Sequence, residues 1–439
     1  MVRTRFAPSP TGEIHLGALR TLLYNYALAK HYQGRFVLRI EDTDRKRYVE
    51  GAERRIIEDI KAYGLSWDEG PFYQSQRAAI YQQYAQQLLA HGQAYYCFCS
   101  PERLAGLKTK YDRYCLRLSQ REIKEKLEKG EPYVIRLKMP DGEVITFNDA
   151  VRGEISFQTD DLDDQVLIKS DGLPTYHLAV VVDDHLMEIS HVLRGDEWIS
   201  STPKQILLYR YFGWKPPIFA HLTALLDASG KGKMSKRSGA TMARQFLEEG
   251  FLPEAVLNYL MLLGWNPGTD QEFFSLNEFV KVFSLEHLHK SQPAFDRQKL
   301  LYFNGFYLRQ KTDKELARLL PQADPRFIPL IKSRIFTLND ADNLLEFATK
   351  DLIPPRELLD LEMLKEIKNI LETKDFANLQ NEFLNLIKEK KYQTGDFFMT
   401  LRLAICGKKI TPPIVESMLI IGREACLRKI NKVLDNKGQ

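Results

Sequence analysis

Two short segments of the chain carry residues that suit the handling of a nucleoside triphosphate. One holds Pro8, Thr11 and His15 in a Pro/Gly-rich loop that leads into a helix-forming stretch; the other is a loop with Lys233 and Lys236. A helix N-terminus offers free N–H groups and about half a positive charge to a phosphate. Two lysines three residues apart can hold a leaving pyrophosphate. Together the segments predict a site where the α-phosphate of ATP is attacked.

Each of these residues has a plainer explanation when it is taken alone. A single His15 beside a turn is more often a capping or surface histidine, and Lys233 and Lys236 alone are ordinary solvated loop charges. Gly17, in contrast, leaves room for an adenine to lie flat on the backbone. The joint occurrence of the two segments, in this order, favours the nucleotide site.

Composition sets broad bounds on the protein. The 439 residues are 44% hydrophobic and 27% charged, which is enough for about three domains. The net charge of +4 does not by itself demand a nucleic-acid partner. From Arg402 onward, eight Lys or Arg stand against three Asp or Glu. This basic tail is equally compatible with RNA binding and with a solvated helix face.

Cysteine content and hydropathy indicate the compartment. Five cysteines, an odd number, argue against a disulfide framework. The N-terminus has no apolar signal core, and no apolar run approaches the ~20 residues that a membrane helix needs. We therefore expect a soluble cytoplasmic protein.

The elements that must position the first segment follow a βαβ order. Strands are predicted at 3–6 and 36–40, with helices at 19–30 and 49–62. This alternation predicts a parallel sheet. A further helix is predicted at 76–89.

The composition and the predicted secondary structure of the chain change twice after this βαβ start. From Tyr95 to about Gln165 it has three cysteines, a charged helix and short strands, which looks like an insertion. The apolar run 178–182 and the stretch 187–193 predict further buried strands. After Arg237 the helical period dominates to the end of the chain.

At the two lysine and histidine segments a family resemblance becomes visible. The sequences His15-Leu16-Gly17-Ala18 and Lys233-Met234-Ser235-Lys236-Arg237 resemble the HIGH and KMSKS motifs of the class I aminoacyl-tRNA synthetases, and within them the bacterial-type glutamyl-tRNA synthetases. Each motif departs from the general pattern at its last position. The first therefore lacks its second histidine, and Thr11 is a candidate replacement for that phosphate donor.

The resemblance covers nearly the whole chain and implies its architecture. The expected fold is a doubly wound α/β, Rossmann-like catalytic domain with an α+β insertion, followed by an all-α C-terminal anticodon-binding domain. The implied domains are the first catalytic half (1–80), an acceptor-end-binding insertion (81–174), the second catalytic half with the lysine loop (175–240), a stem-contact region (241–310) and the anticodon-binding domain (311–439).

The resemblance also implies an activity, namely ligation of L-glutamate to tRNA(Glu) with ATP and Mg²⁺. Whether tRNA(Gln) is charged too is left open, and relatives suggest a monomer. His15, Lys233 and Lys236 are the implied catalytic residues. The implied ATP-binding residues are Pro8, Thr11, His15, Gly17, Trp198, Leu226, Lys233, Ser235 and Lys236, with Trp198 and Leu226 flanking the adenine. The implied glutamate-binding residues are Arg5, Ser9, Glu41, Tyr176 and Arg194.

The implied glutamate pocket is physically coherent. Arginine offers a fixed fork of donors to a carboxylate, and Glu41 can pair with the α-ammonium group. A buried arginine would reject neutral glutamine because its own charge would lose a partner. The plainer alternatives are that Glu41 pairs with Arg39 or Arg45, that Arg194 forms a structural ion pair nearby, and that Trp198 is a core residue.

A separate group of thiols lies in the predicted insertion. Cys97, Cys99 and Cys115 fall within 19 residues and favour a structural zinc over three free thiols. Arg117 stands where some relatives have a fourth ligand and cannot serve. Tyr111 has the spacing of a Cys, Cys, Tyr, Cys ligand set found in a subset of the family.

Four rival interpretations weigh less. A glutaminyl enzyme usually has Pro-Glu-Pro-Asn-Gly where this chain has Pro-Ser-Pro-Thr-Gly at 8–12. A relative that modifies tRNA with glutamate lacks the anticodon domain, and small-molecule nucleotidyl transferases lack the long helical C-terminus. A non-catalytic RNA-binding paralogue would not need the intact His15, Lys233 and Lys236.

Overall fold

The structure is a computed structural model that describes residues 1–107, 110–232, 234 and 242–435. The predicted ATP-site residues Lys233, Ser235 and Lys236 lie outside the described residues, as does Arg237. The chain divides into two compact units. Unit 1 comprises Met1–Phe246 and Val256–Arg297, and unit 2 comprises Leu247–Ala255 and Gln298–Gln439.

The described strands belong to unit 1 and form three sheets with the orders β1-β2-β3, β7-β6-β10-β9 and β4-β5-β8. Their bounds are β1 Arg3–Phe6, β2 Arg35–Ile40, β3 Glu69–Tyr73, β4 Ala94–Cys97, β5 Val134–Leu137, β6 Val144–Asp149, β7 Gly153–Gln158, β8 Val166–Ile168, β9 His191–Gly195 and β10 Ile218–Leu222.

The described α-helices account for most of the remaining chain. Their bounds are α1 Leu16–His31, α2 Ala52–Ala62, α3 Ala78–Ala90, α4 Pro101–Ala105, α5 Gln120–Glu128, α6 Tyr176–Leu186, α7 Thr202–Phe212, α8 Ala243–Glu248, α9 Pro253–Met261, α10 Leu276–Val282, α11 Arg297–Gln310, α12 Asp313–Leu319, α13 Ile328–Ile331, α14 Asn339–Thr349, α15 Leu361–Thr373, α16 Leu379–Lys390, α17 Thr394–Cys406, α18 Ile414–Ile421 and α19 Arg423–Asp435.

The predicted βαβ start is confirmed. Strand β1 pairs in parallel with β2, Arg3 opposite Arg35 and Phe6 opposite Leu38, and β2 pairs in parallel with β3. Strand β10 is parallel to β9, with His221 opposite Arg194. Parallel strands place their carboxyl ends at one edge, where doubly wound folds bind ligands.

The prediction of a buried strand at 178–182 is wrong, because these residues lie in helix α6. The run Leu178 to Val182 is buried throughout. A short apolar run does not distinguish a strand from a helix that is covered on all sides. The next strand, β9, begins at His191 rather than at Met187.

Each unit has its own apolar core. In unit 1 one cluster joins α6 and α7 to the strands of the sheets and includes Leu178, Val182, Val192 and Leu208. In unit 2 a larger cluster lies between the helices, with Phe383 and Phe397 fully buried. Within the described residues, no helix combines the length and apolar character needed to span a membrane.

Candidate active site

A cavity of about 630 Å³ lies in unit 1 beyond the carboxyl ends of β1, β2, β9 and β10. It brings together all the described residues that were predicted to bind ATP or glutamate, except Leu226. These lining residues are Arg5, Pro8, Ser9, Thr11, His15, Gly17, Glu41, Tyr176, Arg194 and Trp198.

Leu225, rather than the predicted Leu226, lines the cavity. The backbone of Leu226 is used elsewhere: its N–H donates to the carbonyl of Pro293 at 3.0 Å, and its carbonyl accepts from the N–H of Phe295 at 3.0 Å. Side chains of consecutive extended residues point to opposite sides. The sequence therefore predicts an apolar wall at this position, but it does not predict which of the two leucines forms the wall.

His15 is the N-cap of helix α1, and its Nδ1 accepts the backbone N–H of Ala18 at 3.1 Å. A neutral ring that accepts at Nδ1 carries its proton on Nε2, which is the form that can donate to a phosphate oxygen. A Cβ atom at Gly17 would lie 3.1 Å from Nδ1 of His15. Glycine at this position therefore makes room for the imidazole, a constraint that the sequence did not reveal.

Arg194, at the end of β9, is buried and held by three neighbours from other elements. Its Nε donates to Nε2 of His221 at 3.1 Å, and its two terminal nitrogens donate to Tyr176 Oη at 3.0 Å and Thr202 Oγ1 at 2.8 Å. Asp196 pairs instead with Arg152 at 3.0 Å. Arg194 forms an ion pair with none of the described acidic residues, so each of its two terminal nitrogens keeps a second N–H that can serve a ligand in the cavity.

Arg5 and Glu41 are fixed by two charged residues, Asp184 and Arg39, that were not predicted as site residues. Asp184 Oδ1 accepts from Arg5 Nε at 3.2 Å and from a terminal nitrogen of Arg39 at 2.8 Å. The other terminal nitrogen of Arg39 donates to Glu41 at 3.1 Å. The pairing of Glu41 with Arg39, one of the plainer alternatives, is therefore present, and it holds a carboxylate that still lines the cavity.

The electrostatics of this group suit a zwitterion that carries an extra negative charge. Three cations, Arg5, Arg39 and Arg194, stand beside two anions, Glu41 and Asp184, which leaves one positive charge among the five side chains. A third anion, Asp183 at 3.9 Å from Arg39, is offset by Arg77 at 2.8 Å. Burial raises the pKa of Glu41 despite the nearby Arg39 and Arg5. A bound ammonium group would favour its ionised form.

Asp184 keeps its negative charge in the same surroundings. Burial works against ionisation, but Arg5 and Arg39 outweigh it and hold the pKa of Asp184 below its ordinary value. The available sequence signal was a pair of aspartates, Asp183 and Asp184, directly after the apolar run 178–182. Such residues are rarely buried unless they are paired.

Trp198 lies against Tyr176 with ring centroids 4.1 Å apart. The carbonyl of Trp198 accepts from Thr202 Oγ1 at 2.9 Å. The aromatic pair therefore forms one wall of the cavity. Its contact with adenine stays a prediction.

The side chains of the four predicted metal ligands come close together. The Sγ atoms of Cys97, Cys99 and Cys115 lie within 4.8 Å of one another. Tyr111 Oη is 3.3 Å from the Cys97 sulfur and 3.4 Å from the Cys99 sulfur. Arg117 turns away and donates to the carbonyl of Asp112 at 3.3 Å.

The donor set has the chemistry of a soft divalent-cation site. Burial and the neighbouring thiols raise the pKa of Cys99 to about 11, so a bare cluster keeps that thiol protonated. The Arg136 guanidinium lies 4.2 Å from the ring centroid of Tyr111 and partly balances anionic ligands. Three sulfurs and one oxygen at these separations fit a tetrahedral zinc.

Comparison with known proteins agrees with this geometry. Residues 1–302 match the family model described as tRNA synthetases class I (E and Q), catalytic domain. Residues 288–434 match the model described as an anticodon binding domain. The expected α/β catalytic domain and helical C-terminal domain are thereby confirmed.

Individual relatives match over nearly their full length. The chain is 42% identical to the glutamate–tRNA ligase of Borrelia duttonii (strain Ly), covering 99% of this chain and 95% of the relative. It is also 42% identical to that of Finegoldia magna, covering 99% of both. The crystal structure of a glutamate tRNA ligase from Elizabethkingia meningosepticum, in complex with its amino acid, superposes with a TM-score of 0.86 at 34% identity over 100% of both chains.

Proposed function

Because the chain belongs to the class I tRNA synthetases of the E and Q group, we propose that it is a glutamate–tRNA ligase. It converts L-glutamate and ATP to glutamyl-adenylate and pyrophosphate, then transfers the glutamyl group to the 3′-terminal ribose of tRNA(Glu) and releases AMP. The observation that carries the proposal is the charge set of Arg5, Arg194 and Glu41 on the same cavity as the His15 loop. A monomer suffices for this chemistry.

The first step needs alignment more than it needs acid–base catalysis. The α-carboxylate of glutamate is already a nucleophile at neutral pH, and it attacks the α-phosphorus while pyrophosphate leaves. Positioning and preorganised positive charge lower such barriers. His15 donates to a phosphate oxygen, and Lys233 and Lys236 neutralise the leaving pyrophosphate. Mg²⁺ bound to ATP would supply further positive charge to the phosphates.

Both the cations and the anion of the charge set take part in the recognition of glutamate. Arg5 and Arg194 donate to carboxylate oxygens, with Tyr176 and Ser9 orienting them, and Glu41 accepts from the α-ammonium group. Glutamine would leave a buried guanidinium short of its anionic partner, which disfavours it. The second step is attack by a ribose hydroxyl of the tRNA on the adenylate; the class I resemblance favours the 2′-OH.

The activation step is tested by amino-acid-dependent exchange of labelled pyrophosphate into ATP, with tRNA present. We expect exchange with glutamate and none with glutamine. Lys236→Ala should nearly abolish exchange while tRNA affinity is kept, because the lysine acts on pyrophosphate. Lys30→Ala, which breaks a surface pair with Asp68, is the matched control. Exchange at the wild-type rate in Lys236→Ala would remove that lysine from the mechanism.

We propose further that Cys97, Cys99, Tyr111 and Cys115 hold a zinc ion that stabilises the insertion. Cys97, Tyr111 and Cys115 form a small buried cluster with Tyr95, and Cys99 packs against it. In so small a cluster a metal can replace part of a hydrophobic core. We expect one zinc per chain by elemental analysis, lost in Cys99→Ser and kept in Cys426→Ser, a buried thiol of unit 2. A folded wild-type protein without zinc would contradict this assignment.

A further inference from the structure

Two fully buried residues stand behind Arg194 and do not line the cavity. Asp149 ends β6 and His221 lies in β10, and neither side chain is exposed to solvent. Asp149 Oδ2 lies 2.7 Å from Nδ1 of His221, and Nε2 of His221 lies 3.1 Å from Nε of Arg194. Two hydrogen bonds thus link the three side chains into a relay, Asp149–His221–Arg194, whose last member lines the cavity.

The direction of each hydrogen bond in this relay is fixed by chemistry. Nε of an arginine carries a hydrogen and can only donate, so Nε2 of His221 must accept. The imidazole is then neutral and carries its proton on Nδ1, where it donates to Asp149. Burial lowers the pKa of His221, which agrees with a neutral ring.

Thr202 does not compete for this arrangement. Its Oγ1 lies 3.2 Å from Nε2 of His221, but the carbonyl of Trp198, at 2.9 Å, is the closer acceptor for its single proton. The same oxygen accepts from Arg194 at 2.8 Å. Arg194 therefore supplies the proton that Nε2 of His221 accepts.

We infer that Asp149 and His221 are positioning residues of the glutamate site, with Asp149 selecting the imidazole tautomer that aims Arg194 into the cavity. This inference rests on the proposed function. Neither residue touches the ligand, and both act through the direction of the Arg194 fork. Outer-shell partners of this kind commonly fix the tautomer and orientation of a functional group.

Asp149→Asn is the sharpest test because the orientation of the new amide is determined. Asp149 Oδ1 accepts the backbone N–H groups of Val151 at 3.0 Å and Arg152 at 2.9 Å. The two backbone N–H groups hold the amide oxygen on that side, so the NH₂ group faces Nδ1 of His221 and also the backbone N–H of His221, which Oδ2 accepts at 3.1 Å in the wild type. The ring then shifts its proton to Nε2, which meets the N–H of Arg194 donor to donor.

We expect Asp149→Asn to raise KM for glutamate about 10- to 100-fold, with KM for ATP unchanged and little change in kcat. The double variant Asp149→Asn/His221→Gln should recover part of this loss, since the glutamine oxygen accepts from Arg194 without any tautomer. Asp164→Asn, at a buried carboxylate that pairs with Arg113 at 2.9 Å, should leave KM for glutamate unchanged. Urea unfolding of all variants checks that they fold.

Nitrogen-15 NMR of the histidine rings gives a readout that a merely structural role would not move. The His221 signal, identified by its loss in His221→Gln, should show Nδ1 protonated in the wild type and Nε2 protonated in Asp149→Asn. A wild type protonated at Nε2, or an Asp149→Asn variant with unchanged KM, would overturn the inference. A wild type that activates no glutamate would instead overturn the proposed function.

Discussion

The cavity of unit 1 and the core of unit 2 bury very different side chains. Around the cavity, Arg5, Arg39, Glu41, Asp184 and Arg194 are all nearly inaccessible to solvent. Among the described residues of unit 2, Lys429 is the charged side chain that is buried. Burying charges costs several kcal/mol per ion unless partners compensate.

The difference indicates which side chains of each unit can recognise a ligand. A small charged ligand requires preorganised charges away from water, so unit 1 carries its specificity as a buried network. Apart from Lys429, the described charged side chains of the helical unit are not buried, and in the proposed function its partner is an extended polyanion. Several basic residues of its C-terminal part already pair with acids: Lys408 with Glu346, and Lys429 and Lys432 with Asp351.

The largest expected effect is in the network of unit 1. Asp184→Asn removes the anion that faces two buried arginines, Arg39 at 2.8 Å and Arg5 at 3.2 Å. Breaking one partner of a buried pair costs about 3–5 kcal/mol, and we expect that loss in the free energy of unfolding, measured with urea. A loss below about 1 kcal/mol would show that the two buried arginines do not depend on the negative charge of Asp184.

A smaller effect on stability but a specific one on activity is expected at Arg194. Arg194→Gln removes the charge while keeping a hydrogen-bonding side chain, and kcat/KM for glutamate should fall about 100-fold. KM for ATP should stay within about twofold. Arg210→Gln, at an exposed pair with Glu143, is the matched control. Equal losses for both substrates would mean that Arg194 supports the fold of the cavity rather than the amino acid.

The smallest effect is expected in unit 2. Asp351→Asn weakens hydrogen bonds to Lys432 at 2.6 Å and Lys429 at 3.1 Å, and should cost about 1 kcal/mol. If Asp351→Asn costs as much as Asp184→Asn, the contrast between the units fails.

The acid dependence of this pair has a definite sign. Hydrogen bonds from Lys432 and Lys429 lower the pKa of Asp351 from 3.8 to about 2. A carboxyl whose pKa is depressed by folding stabilises the folded state above its unfolded pKa, and that contribution disappears as pH falls through the folded value. The difference in unfolding free energy between wild type and Asp351→Asn should thus be full above about pH 4 and shrink towards pH 2. A difference that is constant over this range would contradict the pairing.

The sequence predicted which residues line the cavity better than it predicted the residues that support them. His15, Glu41 and Arg194 line one cavity as the motifs implied, and the three cysteines with Tyr111 converge. These residues could be found because ligand chemistry limits their types and spacing. The family and the catalytic fold are confirmed by the match of residues 1–302.

The supports were missed because their role exists only in three dimensions. Asp149 and His221 are 72 residues apart in sequence, and nothing in either local pattern marks a contact. The helix at 178–182 was mistaken for a strand because complete burial removes the periodicity that separates the two. The predicted contacts of Lys233 and Lys236 lie outside the described residues and stay predictions.

The central claim is that the buried charge set selects glutamate for transfer to tRNA. Its most direct test is acylation of separate tRNA(Glu) and tRNA(Gln) transcripts with labelled glutamate, with labelled glutamine in parallel. We predict that tRNA(Glu) is charged with glutamate and that neither transcript accepts glutamine. Charging of tRNA(Gln) with glutamate as well would extend the acceptor range and leave the claim intact. Failure of both transcripts to accept glutamate would contradict it.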